Sequence, residues 1–583
     1  MLGLFAKKSE HRDIFKEAFD FELPPYRQQE SKLPDVDGLW TQLDVNAAEP
    51  VHLLVELNHF LHELNRTHIS GDKRYNITTK CLDYASPAIR QLFFENQKGK
   101  ALPENQSKRE ALTAAVKSVR EFASSYKRII KNQYKISDKE FKSPSRRLRK
   151  CMVTILEMIH AEQRLKALRY QKLSEGSWRD CNNIFFILHA IGETNKPFKP
   201  LGLNVSRSSP GESMAKSLKT NAEGLYVLIQ LFGLIDPNSL SLQQAVIVEN
   251  YLKQFLPQMH FQALNEEREE HEERMPMNRV VTAYGRAGPP LLSEDADVSG
   301  HILVMDINPL ATGLQRDYQR LLPQLNGAKN DFDPKHDGEI PTNTVAIHRF
   351  EGIEQLLALH AMLKKLKEAA RTDTRKYMDE TQAVYVYNGF TAGFHMLNAT
   401  KASTNADINA PNPMPNQLNI DLAQRSASLA DGAQEDKLTQ WEIINISACG
   451  MLLHTKETQY IKNLFVGQLM VFAESKAALS HPSCGWVVRI CRDGDNNVEI
   501  SLKILAAQIE SVVVQTEILQ KNAMGMPGIM IFDAGEDLQL LMHQSHRLLP
   551  GSNVTIQRSG NAYNYTIGKI EFFQREFVVY QLL

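Results

Sequence analysis

The sequence predicts a multidomain α+β chain. An N-terminal all-α domain comes first, then a mixed α/β middle region, then a small antiparallel β-barrel with an additional small β unit behind it. Three observations predict this. Apolar residues recur every three to four positions between 46 and 275, the period is mixed to about 398, and it switches to two after about 420. The expected boundaries are an N-terminal arm at 1–45, a helical domain at 46–275, a mixed region at 276–398, a linker at 399–419, a barrel at 420–516 and a β unit at 517–583. A chain of 583 residues, 43% of them hydrophobic, has material for several ordinary cores.

The arm is polar and carries Pro24, Pro25 and Pro34. Beyond it, Leu54, Leu57, Leu61 and Leu64 form one apolar helical stripe. His59 and His62 share a face of that helix, but no His-Glu-x-x-His and no nearby Cys or Asp completes a metal set, so they read as polar-face residues. Helical patterns continue at 106–134, 144–174, 178–192, 213–234 and 239–257. The basic cluster Arg146, Arg147, Arg149 and Lys150 reads as a solvated helix start rather than a phosphate site. The charged run Glu266–Arg274, ended by Pro276, marks a domain edge.

The middle region begins with strand-like Val280–Ala283 and His301–Asp306. Val304-Met-Asp306-Ile-Asn308 aligns loosely with Ile443-Ile-Asn445-Ile-Ser447. Two readings of 278–345 stand: a degenerate copy of the later barrel, or a chance likeness of two strand–turn units, the second being favoured. Thr344–His348 is strand-like. Ile353, Leu356, Leu359, Leu363 and Leu366 mark a helix, Val384–Tyr387 a strand, and Phe390–Met396 a short helix. The Asn-, Ala- and Pro-rich segment 399–419 reads as a linker.

In the barrel, strands are expected at 441–447, 450–455, 465–473, 485–492, 497–505 and 511–516. Alternation puts Trp441, Ile443, Asn445 and Ser447 on one face. Gly450 then supplies a position without Cβ where the backbone bends or another chain approaches. Six short strands imply closure, which removes edges. Strand-like runs between 527 and 583 suggest a second small barrel packed on the first.

The turn Asn445-x-Ser447-x-x-Gly450, followed by Gly485–Ile490 and Val498–Leu505, resembles the (Asp/Asn)-x-Ser-x-x-Gly turn and late strands of PilZ domains, β-barrels that bind cyclic di-GMP. The likeness covers about 420–516. As a whole the chain looks like large PilZ-type effectors with an N-terminal region ahead of the barrel. The resemblance implies a ligand site built from Asn445, Ser447 and Gly450 and from an Arg-x-x-x-Arg arm ahead of the barrel. Guanidinium groups suit that role because they fork to phosphate and guanine and stack on bases. Arg425 is the candidate in that arm, and its partner position is Leu429. Arg489 or Lys503 then substitutes for the second arginine, or the barrel no longer binds the nucleotide.

Composition bounds the rest. Lys and Arg number 67 against 68 Asp and Glu, for a formal charge of −1, which argues against a nucleic-acid partner. That holds also for Arg547, Arg558, Tyr563 and Tyr565 in the last β unit. The six cysteines form no Cys-x-x-Cys pair, which fits free thiols in a reducing compartment. No apolar run is long enough to span a bilayer and no signal peptide is read, so the expectation is a cytoplasmic protein without membrane insertion. No catalytic order, metal or cofactor is read. The expected function is a non-enzymatic cyclic di-GMP receptor. It would couple ligand binding, through unidentified protein partners, to signal transduction governing motility, type IV pili or surface attachment. The alternative is a scaffold with a degenerate barrel.

Overall fold

A computed structural model describes residues 21–27, 35–97, 102, 105–133, 145–203, 221–263, 279–292, 301–326, 344–367, 376–406, 438–447, 449–456, 461, 464–475, 478, 481–493, 497–516, 525–532, 538–558 and 560–583. The helical unit holds α1 (Val36–Val45), α2 (Pro50–Arg66), α3 (Gly71–Gln97), α4 (Gln106–Gln133), α5 (Arg146–Ala167), α6 (Glu175–Ala190), α7 (Ala222–Ile235) and α8 (Leu242–Phe255). Side-chain caps start several of these helices. Asp35, Ser145, Ser174, Asn221 and Ser241 each accept a first-turn N–H, and Ser241 with Gln244 forms a full capping box.

Helix α5 is the axis of this unit, buried on every side from Cys151 to Ala167. Such a helix must pair the polar groups it carries. Arg164 Nε lies 2.8 Å from Glu249 Oε2, and Lys253 Nζ lies 2.7 Å from Glu249 Oε1. Burial alone would raise the Glu249 carboxyl, but Arg164, Lys253 and His160 outweigh it and hold it low, at about 2. His160, fully enclosed beside this group, is pushed down to about 3 by burial against the pull of Glu249. The basic cluster at the start of α5 is occupied by structure. Arg147 pairs with Asp72 and lies over the Tyr75 ring, while Arg149 reaches Glu193 at 3.3 Å. His62 faces Glu121 at 3.1 Å, as a polar-face histidine does.

The middle region is an open antiparallel sheet with two helices. Strands β1 (Phe261–Ala263), β2 (Arg279–Ala283), β3 (Leu291–Leu292) and β4 (Ile302–Asp306) pair in the order β1-β4-β2-β3. Helices α9 (Asn308–Asn326) and α10 (Thr344–Lys367) follow. One of the two readings of 278–345 is set aside here, in favour of the chance likeness, and one expectation is corrected. The 278–345 region is not a second copy of the barrel, because β4 runs into α9 rather than into a strand. Thr344–His348 is the first turn of α10 and not a strand, since the apolar spacing that begins at Ile353 extends the helix backwards. Val280, Leu303, Met305, Leu310, Leu359 and Met362 join the core of the helical unit, so the middle region is part of that body.

Two closed six-stranded barrels follow. The first contains β5 (Lys376–Asn388), β6 (Thr439–Ser447), β7 (Gly450–Lys456), β8 (Leu469–Ala473), β9 (Ser483–Asp493) and β10 (Asn497–Ala506). Helix α11 (Phe390–Ala406) lies between β5 and β6 in the chain, so the first residues of the expected linker are helical. The second barrel contains β11 (Gln508–Thr516), β12 (Met526–Phe532), β13 (Leu538–His543), β14 (Asn553–Arg558), β15 (Asn561–Phe573) and β16 (Phe577–Leu582).

The barrel expected at 420–516 therefore changes one strand. Strand 511–516 belongs to the second barrel, and β5 takes its place, paired with both β6 and β8. Each barrel has the same pairing pattern: first strand with second and fourth, third with second and sixth, fifth with fourth and sixth, all antiparallel.

Helix α11 is wedged between the barrels. Phe390, Met396 and Leu397 share a core with Leu469, Val471 and Cys484 of the first barrel and Ile529, Leu541 and Phe577 of the second. The helical unit closes on the first barrel through Tyr170, whose side chain lies in the barrel core and whose carbonyl accepts from Arg492 N at 2.9 Å. Tyr170 holds φ at 54°, a left-handed conformation that a tyrosine keeps only where packing imposes it.

Candidate nucleotide-binding site

The β6–β7 turn brings together three of the four residues expected at the site. Along β6, Trp441 and Ile443 are buried while Gln440 and Glu442 are exposed, as alternation requires. Beyond them the phase changes, with Ile446 packing against the barrel core, so Asn445, though buried, does not share the face of Trp441 and Ile443 on which strict alternation places it. Trp441 anchors this strand in the barrel core, its indole N–H donating to Thr439 Oγ1 at 3.0 Å. The ladder is irregular on both sides of β6 at one point. Against β7, Ile443 pairs with Leu453 and Asn445 with Leu452, so Ile444 is extra. Against β5, Asn445 pairs with Tyr377 and Ile443 with Gln382. Bulges of this kind re-aim the side chain that follows them, and here that residue is Asn445.

The three turn residues differ in what they do. Ser447 Oγ donates to Gly450 O at 3.2 Å, so the hydroxyl braces the turn. Gly450 is needed for space, because a Cβ there would stand 2.4 Å from Leu502 O on β10. Asn445 is 6% exposed, and its carboxamide has no hydrogen-bond partner among the described residues. Its amide atoms are not sealed from solvent, so two donors and an acceptor remain open to a partner from outside. Of the three, Asn445 is the group available to a ligand.

The fourth expected residue, Arg425, lies outside the described residues, as does Leu429. Both expected substitutes are described. Arg489 Nε lies 2.7 Å from Asp236 Oδ2 at the junction with the helical unit, so it is engaged there. Lys503 pairs with Gly450 across the ladder, and its exposed ammonium sits 5.1 Å from the Trp486 ring centroid. The structure adds two residues that sequence reasoning did not bring to the site. Strand β5 puts exposed Lys376 opposite Ile446 and exposed Tyr377 opposite Asn445. The signal that would have found them is the period-two pattern Val384, Val386 with Tyr385, Tyr387, had it been joined to β6 across the intervening helix.

Residues 40–267 match a family model described as the cyclic-di-GMP receptor FimW, N-terminal domain. The match covers the helical unit from within α1 to beyond β1 and ends ahead of both barrels. That family is one of receptors, a binding role rather than a catalytic one. No curated protein and no solved structure matched the chain. Among the described residues no His, Cys, Asp and Glu group of three is placed to hold a metal, and no helix is long and apolar enough to cross a membrane.

Proposed function

We propose that this chain is a receptor for cyclic di-GMP, that its first barrel is PilZ-like, and that the ligand binds at the β6–β7 turn. The observation that carries the reading is the pairing of β5 with β6, which puts Lys376 and Tyr377 beside Ile446 and Asn445. The residues that precede Lys376 in the sequence read Arg371-Thr-Asp-Thr-Arg375. This is the Arg-x-x-x-Arg spacing that the resemblance asks for, directly ahead of the barrel's first strand. Arg371 and Arg375, rather than Arg425, are the arginines assigned here to the ligand's phosphates and guanines, with Asn445 on a base edge. Two guanidinium groups match the two phosphates of such a ligand and fork to each. The family match at 40–267 supports the same ligand from an independent part of the chain.

The output is a change in how the barrel and the helical unit present a surface to protein partners. Tyr170 in the barrel core and the Arg489–Asp236 pair join the two bodies. Ligand bound at β5 and β6 therefore acts on strands that share the barrel core with Tyr170, while the Arg489–Asp236 pair is carried by β9 on the same barrel. The setting is cytoplasmic signalling that controls pili, motility or surface attachment.

The test is titration calorimetry of the full chain with cyclic di-GMP. Micromolar or tighter binding that Asn445→Ala weakens and the double change Arg371→Ala, Arg375→Ala removes supports the reading. Absence of heat and of thermal stabilisation at high ligand concentration overturns it and leaves a scaffold with a nucleotide-silent barrel.

A further inference from the structure

We infer that Tyr377 is the platform on which a guanine base of the ligand stacks; this rests on the nucleotide-binding reading of the β6–β7 turn. Tyr377 is 64% exposed, and its ring touches no aromatic or cationic partner among the described residues. Nothing in the barrel needs it. Val384 and Val386 supply the buried contacts of β5, and Tyr377 lies beyond the bulge that separates it from them. An aromatic ring left bare in a strand is a poor use of β propensity unless it meets a partner.

Its position names that partner. Tyr377 is the cross-strand neighbour of Asn445, and directly paired side chains leave the sheet on the same face. The pair thus offers a flat apolar surface beside an amide with two donors and an acceptor unmatched. A purine presents those two complements, a π-face and a hydrogen-bonding edge. Lys376, one residue earlier, leaves the strand on the other face opposite Ile446, so the base contact rests on the Tyr377–Asn445 pair alone.

The experiment compares the full-length wild type with Tyr377→Phe and Tyr377→Thr by calorimetry against cyclic di-GMP. Threonine keeps strand propensity and removes the ring, so the ligand-free melting temperature stays at the wild-type value. Loss of one base stack weakens binding about tenfold or more in the threonine variant, and phenylalanine stays within about threefold. A threonine variant that binds within about threefold of wild type overturns the stacking while leaving the nucleotide site standing. So does a phenylalanine variant that loses as much as threonine, since the hydroxyl and not the ring would then matter. A wild type that binds no cyclic di-GMP overturns both.

Discussion

The two barrels share one pairing pattern and differ in almost everything that a ligand would read. In the first, the turn between the second and third strands holds Asn445, Ser447 and Gly450. In the second, the corresponding connection between β12 and β13 reads Asp533-Ala-Gly535-Glu536-Asp537, which would repel phosphate. The first barrel is preceded by Arg371 and Arg375, whereas β11 follows β10 after Ala507 with no arm. One feature is shared. The hairpin between the fifth and sixth strands docks each barrel on what comes before it. In the first, Arg489, Cys491 and Arg492 meet Asp236, Asn238 and Tyr170 of the helical unit. In the second, Glu576 takes N–H bonds from Phe390 and Leu469 at 2.9 and 2.8 Å, and Arg575 reaches Glu354 at 3.0 Å. The fold thus supplies the docking edge in both barrels, and the proposed nucleotide site rests on the side chains of one turn.

The largest effect should come from the arginines. A charge-assisted hydrogen-bond fork contributes about 1.5–3 kcal/mol, so Arg371→Ala with Arg375→Ala should weaken cyclic di-GMP binding by ~100-fold or more. Arg425→Ala and, in the second barrel, Arg558→Ala should leave the isotherm within about threefold of wild type, the latter because Arg558 serves Glu510. Equal losses from Arg425 and the Arg371/Arg375 pair would break the assignment of the arm.

Next is the glycine at each barrel's second strand pair. A methyl group at Gly450 meets the Leu502 carbonyl at 2.4 Å, and backbone does not move aside. At Gly528 of the second barrel the nearest atoms are side-chain ends of Val514, Leu540 and Met542 at 3.0–3.1 Å. Urea unfolding should show Gly450→Ala destabilising by about 1–3 kcal/mol and Gly528→Ala by less than about 1 kcal/mol. The reverse order would mean that the first barrel's turn tolerates a side chain and that its glycine has another purpose.

Smaller still is the division between Asn445 and Ser447. The serine hydroxyl already has Gly450 O as its acceptor, so Ser447→Ala should lower stability by about 1 kcal/mol and change nucleotide affinity within about threefold. Asn445→Ala should do the opposite, costing about tenfold in affinity with little change in melting temperature. Matching effects of the two substitutions on affinity would return Ser447 to the ligand.

How much of this was legible in sequence depends on how far apart the cooperating residues lie. Helices α2 and α4 to α8 announce themselves through local periodicity, whereas α3, with Pro87 inside it, is not singled out by its pattern; the Asn445–Gly450 turn is marked by its spacing. Strand β5 was legible as a strand but not as part of the barrel, because residues 389–438 separate it from β6. Antiparallel pairing across such a gap leaves no local pattern, so 511–516, next in line, was taken for the sixth strand. The misplaced strand also set the expected start of the barrel beside Arg425, and so drew attention from the Arg371 and Arg375 proposed above. The engagement of Arg489 with Asp236 was illegible for the same reason, since it joins residues from different bodies.

The smallest effect distinguishes the two docking hairpins by pH. Burial pushes the Glu576 carboxyl up to about 7, against the N–H bonds of Phe390 and Leu469. The unfolded chain titrates this group near 4.5, so between 4.5 and 7 the native state holds the extra proton. Stability contributed here is present in full below about 4.5 and falls as pH rises through 7. His543, whose ring is 5.6 Å from that of Phe390, is pushed down by burial and works in the other sense. The comparison must therefore be with Glu576→Gln, which removes one titration and leaves the other. Calorimetric melting between pH 5 and pH 8 should show the wild type losing stability relative to the glutamine variant as pH rises. The hairpin of the first barrel docks through the Arg489–Asp236 pair, and Asp236→Asn should shift the melting curve by a similar amount at both ends of that range. Parallel curves for wild type and Glu576→Gln would mean that the second barrel docks without a proton, and the two hairpins would then hold by the same chemistry.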